Sequence, residues 1–148
     1  MDALELLKQD HKTVKELLDT AKETEGAKKL RQLFQEIKTE LETHTRIEET
    51  IFYPAVKKHD ELKDMVLESL EEHKQVKTLL REMTRMSSSN QKYKAKLKVI
   101  GDDVEHHAKE EEEGKMFLKV RKVMDRAELE QLGQELEGAK HKRTRKAS

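Results

Sequence analysis

Residues 41–54 read LETHTRIEETIFYP. On a helix, Leu41, His44 and Glu48 fall on one face, at the three- and four-residue steps of an amphipathic stripe. The same stripe starts with Leu30, Phe34 and Ile37 and continues to Ile51 and Ala55. A histidine and a glutamate therefore stand where a core stripe calls for apolar side chains. Pro54 lacks a backbone N–H and clashes with the preceding turn, so a kink or early stop is expected around Phe52 to Ala55.

The pattern recurs along the chain. A first stripe runs Leu4, Leu7, His11, Val14, Leu18. A third runs Leu62, Val66, Leu70, His73, Leu80, Met83. A fourth runs Tyr93, Leu97, Ile100, Val104, His107, Glu111, Leu118. Helix breakers separate them: Gly26, the single Pro54 and the loop Ser87-Ser88-Ser89-Asn90. Helices are placed near 2–23, 27–57, 60–86 and 90–124, with a short helix near 126–137. Short connections make consecutive helices antiparallel. The expected fold is all-α, an up-down-up-down antiparallel four-helix bundle over 1–125. A short C-terminal helix and a basic, disordered tail follow over 126–148.

The four histidines also agree in height. His44 and His73 lie about 15 residues either side of the turn near residue 58, and the other pairs match within roughly a helical turn at ~1.5 Å per residue. One core histidine is most often a hydrogen-bonded structural residue. Four in one layer with two inward carboxylates are a different case, because unpaired buried carboxylates cost several kcal/mol each, on the order of their desolvation. A metal removes that cost, and imidazole with carboxylate suits iron, manganese or zinc. Four histidines and two glutamates exceed a tetrahedral zinc site. Two glutamates can bridge two ions, each then taking about two histidines and keeping open positions. Glu110 rivals Glu111, and His106 rivals His107; the stripe through Ile100 and Val104 favours Glu111 and His107.

The bulk composition is consistent with this reading. Of the 148 residues 42% are charged and 34% hydrophobic, but 31 basic and 31 acidic residues balance and the apolar ones are periodic, which argues for long helices over disorder. The absence of cysteine removes disulfides and thiolate sites. No apolar run approaches the roughly 20 residues of a membrane span, so a soluble, cytoplasmic protein with no membrane partner is expected. Zero net charge argues against nucleic acid as a partner. The basic run Lys140 to Lys146 could touch nucleic acid or membrane, but a solvated end is the simpler reading.

These motifs resemble the hemerythrin-like family, the HHE cation-binding domain, over about residues 2 to 122. His44-Thr-Arg-Ile-Glu48-Glu49, ending in Phe52-Tyr53-Pro54, looks like the family's H-x-x-x-E-E segment. His107-Ala-Lys-Glu-Glu111-Glu112, followed by Met116-Phe117, looks like its second copy. His11 and His73 match the first- and third-helix histidines. The resemblance implies that His11, His44, His73 and His107 are iron ligands and that Glu48 and Glu111 bridge. It further implies two non-heme irons (Fe2+/Fe3+) with a bridging oxo, hydroxo or water. The ligand would be oxygen, nitric oxide or another small diatomic, or peroxide, supported by a redox partner that the residues do not name.

Four functions are compatible with such a centre: a non-enzymatic di-iron protein binding or sensing oxygen, nitric oxide or iron; an enzyme consuming peroxide or nitric oxide; a structural helical interaction module; or a ferritin-like ferroxidase. The module leaves the buried ligands unexplained, and the ferroxidase needs Glu-x-x-His pairs, whereas here Glu follows His. Oxygen-carrying members have a further histidine one turn after the third-helix ligand, where this chain has Lys77. Lys77 is expected to snorkel away or to aim a donor at the centre. The reduced centre should then oxidise in air rather than carry oxygen reversibly.

Overall fold

The computed structural model describes residues 1–147, with side chains through residue 142. All regular structure among these residues is helical, and the bundle forms as expected. Helix α1 (Ala3–Lys22) is capped by Asp2, whose side chain accepts from Glu5 N at 2.9 Å. Gly26, at φ +97°, turns the chain into α2 (Ala27–Ile47), a conformation that glycine adopts without steric cost. A π-helical segment, Glu48–Phe52, leads into α3 (Tyr53–Val56). After 57–59 comes α4 (Asp60–Thr84) and, beyond the Ser-rich loop, α5 (Tyr93–Glu105). A second π-helical segment, His106–Met116, leads into α6 (Phe117–Val123). No helix among the described residues is long and apolar enough to cross a membrane.

Helix α7 (Arg126–Ala147) is longer than the 126–137 helix expected from sequence. It lies against α1 and α2, burying Leu129, Leu132 and Leu136. The side chains of the basic tail past residue 142, expected to be disordered, lie outside the described residues.

The two π-helical segments change the phase of the core stripes. A π-helix closes on the fifth residue back instead of the fourth, adding one residue to the turn. Tyr53 N accordingly donates to Glu48 O, and Phe117 N to Glu112 O. Every later side chain is displaced by about one position. Ile51 and Ala55, expected in the core, are half-buried, whereas Phe52, Tyr53 and Val56 are buried. Leu118 is 60% exposed, while Met116, Phe117 and Val120 are buried. Pro54 does not stop the helix. It sits in the first turn of α3, directly after the wide turn, where a missing N–H is tolerated.

Two apolar clusters fill the interior. One joins Leu4 and Leu7 of α1 to Phe52, Leu62, Phe117 and the leucines of α7. The other joins Val14 and Leu18 to Phe34, Ile37, Leu80 and Ile100. The histidine layer lies between them.

The phase shift can be measured by denaturant unfolding of the metal-free protein. Met116→Ala is expected to cost about 2–5 kcal/mol, and Leu118→Ala to stay within about 0.5 kcal/mol of wild type. The reverse order would restore an ordinary α-helical phase.

Candidate metal centre

Five of the six expected ligands meet in one layer: His11 from α1, His44 from α2, Glu48 at the start of the first π-helical segment, His73 from α4 and His107 from the second π-helical segment. All five are buried. Glu111 does not reach the layer. It is half-buried, 3.4 Å from Lys115 Nζ and 3.5 Å from His106 Nε2. Its neighbour Glu112, 0% exposed, takes the inward place. The His44–Glu48 step is four residues, as on an α-helix, but the second segment is π-helical, and the residue one wide turn after His107 is Glu112. Of the two rivals considered, Glu110 and His106 are exposed and paired with each other at 2.6 Å.

Each histidine is held from behind by a carboxylate. His11 Nδ1 lies 2.7 Å from Glu113 Oε2, and His44 Nδ1 lies 3.0 Å from Asp10 Oδ2. His73 Nδ1 lies 2.7 Å from Glu49 Oε2, and His107 Nδ1 lies 2.6 Å from Glu72 Oε1. An ionised carboxylate only accepts, so each Nδ1 carries the proton and donates it. In a neutral ring this leaves the Nε2 lone pair facing the interior. Carboxylate–histidine pairs of this kind orient metal-binding imidazoles.

The inward atoms are crowded and incompletely satisfied. Glu48 Oε1 lies 3.2 Å from His44 Nε2 and 3.1 Å from His73 Nε2. Neither geometry makes a hydrogen bond, and both Glu48 oxygens and His44 Nε2 are without a partner. The Nε2 atoms of His73 and His107 face each other at 3.2 Å. Two lone pairs cannot approach this closely without a proton or a cation between them. Glu112 Oε1 lies 3.0 Å from His11 Nε2 and 3.5 Å from His107 Nε2. Two donor sets result, His11, His44, Glu48 and Glu112 in one and Glu48, His73 and His107 in the other, with the donor atoms of each set within 4.8 Å of one another. The orphaned oxygens and opposed lone pairs fit metal ions.

Without metal, protons take the place of cations. Burial pushes the His73 ring down, but the hydrogen bond to Glu49, the close approach of Glu48 and the charges of Glu48 and Glu112 outweigh it, raising the ring to about 9. His11 and His44 are raised in the same way, against burial, by their carboxylate partners. Burial likewise opposes ionisation of Glu48, but the charge of His44 and the close approach of the His44 and His73 rings hold its carboxyl well below the usual range. Asp10 is also lowered, against burial, by His44 and Lys140. The His73 hydrogen bond lowers Glu49, the His107 hydrogen bond lowers Glu72, and the His11 hydrogen bond lowers Glu113.

Sequence reasoning missed Glu112, Tyr53 and the four supporting carboxylates. Tyr53 is buried, donates to Glu112 Oε2 at 2.6 Å and sits 3.3 and 3.4 Å from the Nε2 atoms of His73 and His107. Burial and the charges of Glu112 and Glu48 hold its phenol well above the ordinary value, so it stays protonated. The supporting acids did leave a signal: each adjoins an inward residue, in Asp10-His11, Glu48-Glu49, Glu72-His73 and Glu112-Glu113. Lys77 is not aimed at the centre. Its Nζ donates to both Glu49 oxygens, at 2.9 and 2.8 Å. Glu49, which lies off the stripe of α2, supports His73.

A small cavity of about 30 Å³ adjoins the rings, walled by Val14, Leu41, Val76, Val104 and Ala108 together with Thr45 and the four histidines. It has room for a molecule of about the size of water or a diatomic gas.

Comparisons with known proteins agree with this geometry. A crystal structure of a hemerythrin HHE cation-binding domain-containing protein from Mycobacterium kansasii superposes with a TM-score of 0.84 at 29% identity, covering 96% of this chain and 86% of that one. A protein from Nostoc sp. described as a DNA nickase is 26% identical over 142 residues, 96% of this chain; the chain spans only 40% of that relative's length. Residues 2–120 match the Hemerythrin HHE cation binding domain, and because that match takes in all four histidines and both inward glutamates, the chain belongs to the hemerythrin HHE cation-binding family.

Proposed function

We propose that this chain is a non-heme di-iron protein that binds or senses oxygen, nitric oxide or iron. The supporting observation is the shared carboxylate: Glu48 belongs to both donor sets, and neither of its oxygens has a hydrogen-bond partner. A carboxylate with two free oxygens between two groups of Nε2 atoms suits a bridge between two ions. Glu112 suits a second bridge, with Oε1 toward His11 and His107 and Oε2 accepting the Tyr53 hydrogen bond. Imidazole and carboxylate donors suit iron among the available metals. Bound there, iron would supply redox chemistry and open positions for a small ligand.

The protein's own contribution is positioning and exclusion. The Asp10, Glu49, Glu72 and Glu113 carboxylates hold the rings in place, and the 30 Å³ cavity beside them has room only for a small molecule. A second reading, an enzyme that consumes peroxide or nitric oxide, draws support from Tyr53. This buried, protonated phenol beside the His73 and His107 pair can hold and deliver a proton at its Oη. The nicking activity named for the Nostoc relative is not carried over, because this chain spans only 40% of that relative's length.

Metal analysis after anaerobic reconstitution is expected to give two irons per chain; saturation at one refutes the pair. Glu48→Ala and Glu112→Ala should each lose most of the metal and of the metal-dependent gain in thermal stability, whereas Glu111→Ala should behave as wild type. Glu49→Ala should fall between them, with affinity weakened about 10- to 100-fold, as for other supports of a ligating histidine. If Glu111→Ala proves as damaging as Glu112→Ala, the π-helical phase is wrong.

Stability should depend on pH differently with and without metal. The folded His73 value, about 9, lies above its ordinary 6.5. Its proton therefore stabilises the metal-free fold fully below 6.5, and that contribution is lost as pH rises through about 9. Metal needs the bare Nε2, so uptake releases protons and strengthens over the same interval. Calorimetric melting between these limits should show the metal-free Tm falling and the gap to the loaded protein widening. A gap that narrows would overturn this assignment.

Lys77 occupies the place of the oxygen carriers' additional histidine, and its ammonium group is tied to Glu49. The diferrous protein is therefore expected to oxidise in air within a stopped-flow or manual-mixing experiment, and evacuation should not restore the reduced spectrum. Full recovery under vacuum would favour the carrier reading.

A further inference from the structure

Helix α7 lies beyond the stretch matched by the family, 2–120, yet it reaches the support of the metal centre. Its buried leucines pack on α1, and Gly133 lets the two backbones meet. A Cβ at position 133 would lie 2.9 Å from Ala3 N, closer than side chains approach. One end of α7 is thereby fixed against the start of α1. Two turns further along, α7 is tied to the centre at adjacent residues. Ala139 O accepts from the Arg46 guanidinium at 3.1 Å, two residues after His44. Lys140 Nζ donates to Asp10 Oδ1, and the other oxygen of Asp10 accepts from His44 Nδ1 at 3.0 Å.

Asp10 is 3% exposed. A carboxylate buried to this degree needs a counter-charge and a partner for each oxygen. His44 satisfies one oxygen and Lys140 the other. His44 is in turn the ligand whose Nε2 has no partner and points at Glu48. The opposite half of the centre is supported differently. His73 and His107 are held by Glu49 and Glu72, and the lysine on Glu49 is Lys77 of α4, inside the four-helix bundle. Support from α7 therefore falls on one half of the centre.

We propose that Lys140 is a positioning residue for the ion held by His11, His44, Glu48 and Glu112: through Asp10 it fixes the His44 ring, so the docking of α7 sets how firmly that one ion is retained. The inference rests on the di-iron reading above. It makes α7 a retaining strap for half of the centre, and loosening of α7 a route by which one iron is gained or lost while the other stays.

Iron release from the full-length protein, reconstituted with iron(II) and challenged anaerobically with a colorimetric chelator, tests it. In Lys140→Met, half of the iron should leave about tenfold faster than in wild type, at the low end of the effect of losing a support to a ligating histidine, and the other half at the wild-type rate. Lys140→Arg should restore slow release. Asp10→Asn should loosen the same half, and Asp10→Asn/Lys140→Met should be no faster than Asp10→Asn alone, because Lys140 acts through Asp10. Equal acceleration of both halves, wild-type release in Lys140→Met, or additive effects in the double variant would each overturn the proposal. A wild type that binds a single iron refutes the di-iron reading. In that case, faster loss of the one ion in Lys140→Met that disappears in the Asp10→Asn background still supports the positioning role, and unchanged loss overturns it.

Discussion

The structure depends on a closed circuit of carboxylate–imidazole hydrogen bonds around the bundle. Asp10 of α1 holds His44 of α2, and Glu49, just after α2, holds His73 of α4. Glu72 of α4 holds His107, and Glu113 holds His11 of α1, closing the ring. In each case the support sits next to its own helix's inward residue and reaches across to a neighbouring helix. The four rings are therefore positioned by contacts between helices, and no helix can rotate or slide without breaking two of them. The circuit sets the tautomer of every histidine and aims four Nε2 atoms at two shared carboxylates.

This layer carries an energetic cost that the rest of the fold offsets. It places Glu48, Glu112 and four imidazoles between two apolar clusters, where desolvation opposes every charge. The raised histidines and lowered carboxyls show how the metal-free chain meets that cost, by forming imidazolium–carboxylate pairs. Those pairs leave both Glu48 oxygens outside hydrogen-bond geometry. A set of groups better arranged for a cation than for one another is what a metal site requires of its protein. Lysines on the outer side of three supports, Lys140 on Asp10, Lys77 on Glu49 and Lys109 on Glu113, extend the alternation of charge toward the surface.

The two π-helical segments serve the same layer. Each is a local departure from the most stable helix geometry, and such departures often mark functional sites. The first begins at Glu48, so the inward pair His44 and Glu48 keeps the α-helical step while Tyr53 is rotated inward to meet Glu112. The second contains His107 and Glu112 and widens the step between them by one residue. One lets a phenol reach the centre; the other chooses which member of a glutamate run enters it.

The amino-acid sequence by itself determined the helical class, the four stripes and the inward histidines, because a regular 3.6-residue period carries each position to a face without knowledge of its neighbours. His11, His44, His73, His107 and Glu48 were legible for that reason, as was the likeness to the hemerythrin-like family. The same arithmetic failed wherever the period changed. It placed Glu111, Ile51, Ala55 and Leu118 inward, because nothing in the local composition of Glu48–Phe52 or His106–Met116 announces a wide turn whose stability comes from packing against other helices. The supporting carboxylates were hidden for a related reason: Glu49 and Glu72 lie off their own stripes, and an off-stripe acid reads as a solvated one until the adjacent helix is in place. Lys140 is more than a hundred residues from Asp10 in sequence, and only the close approach of α7 to α1 at Gly133 brings their charges together. Periodicity is a property of one helix, whereas phase shifts, second partners and long-range charge pairs are properties of helices packed together, and those the tertiary structure alone decided.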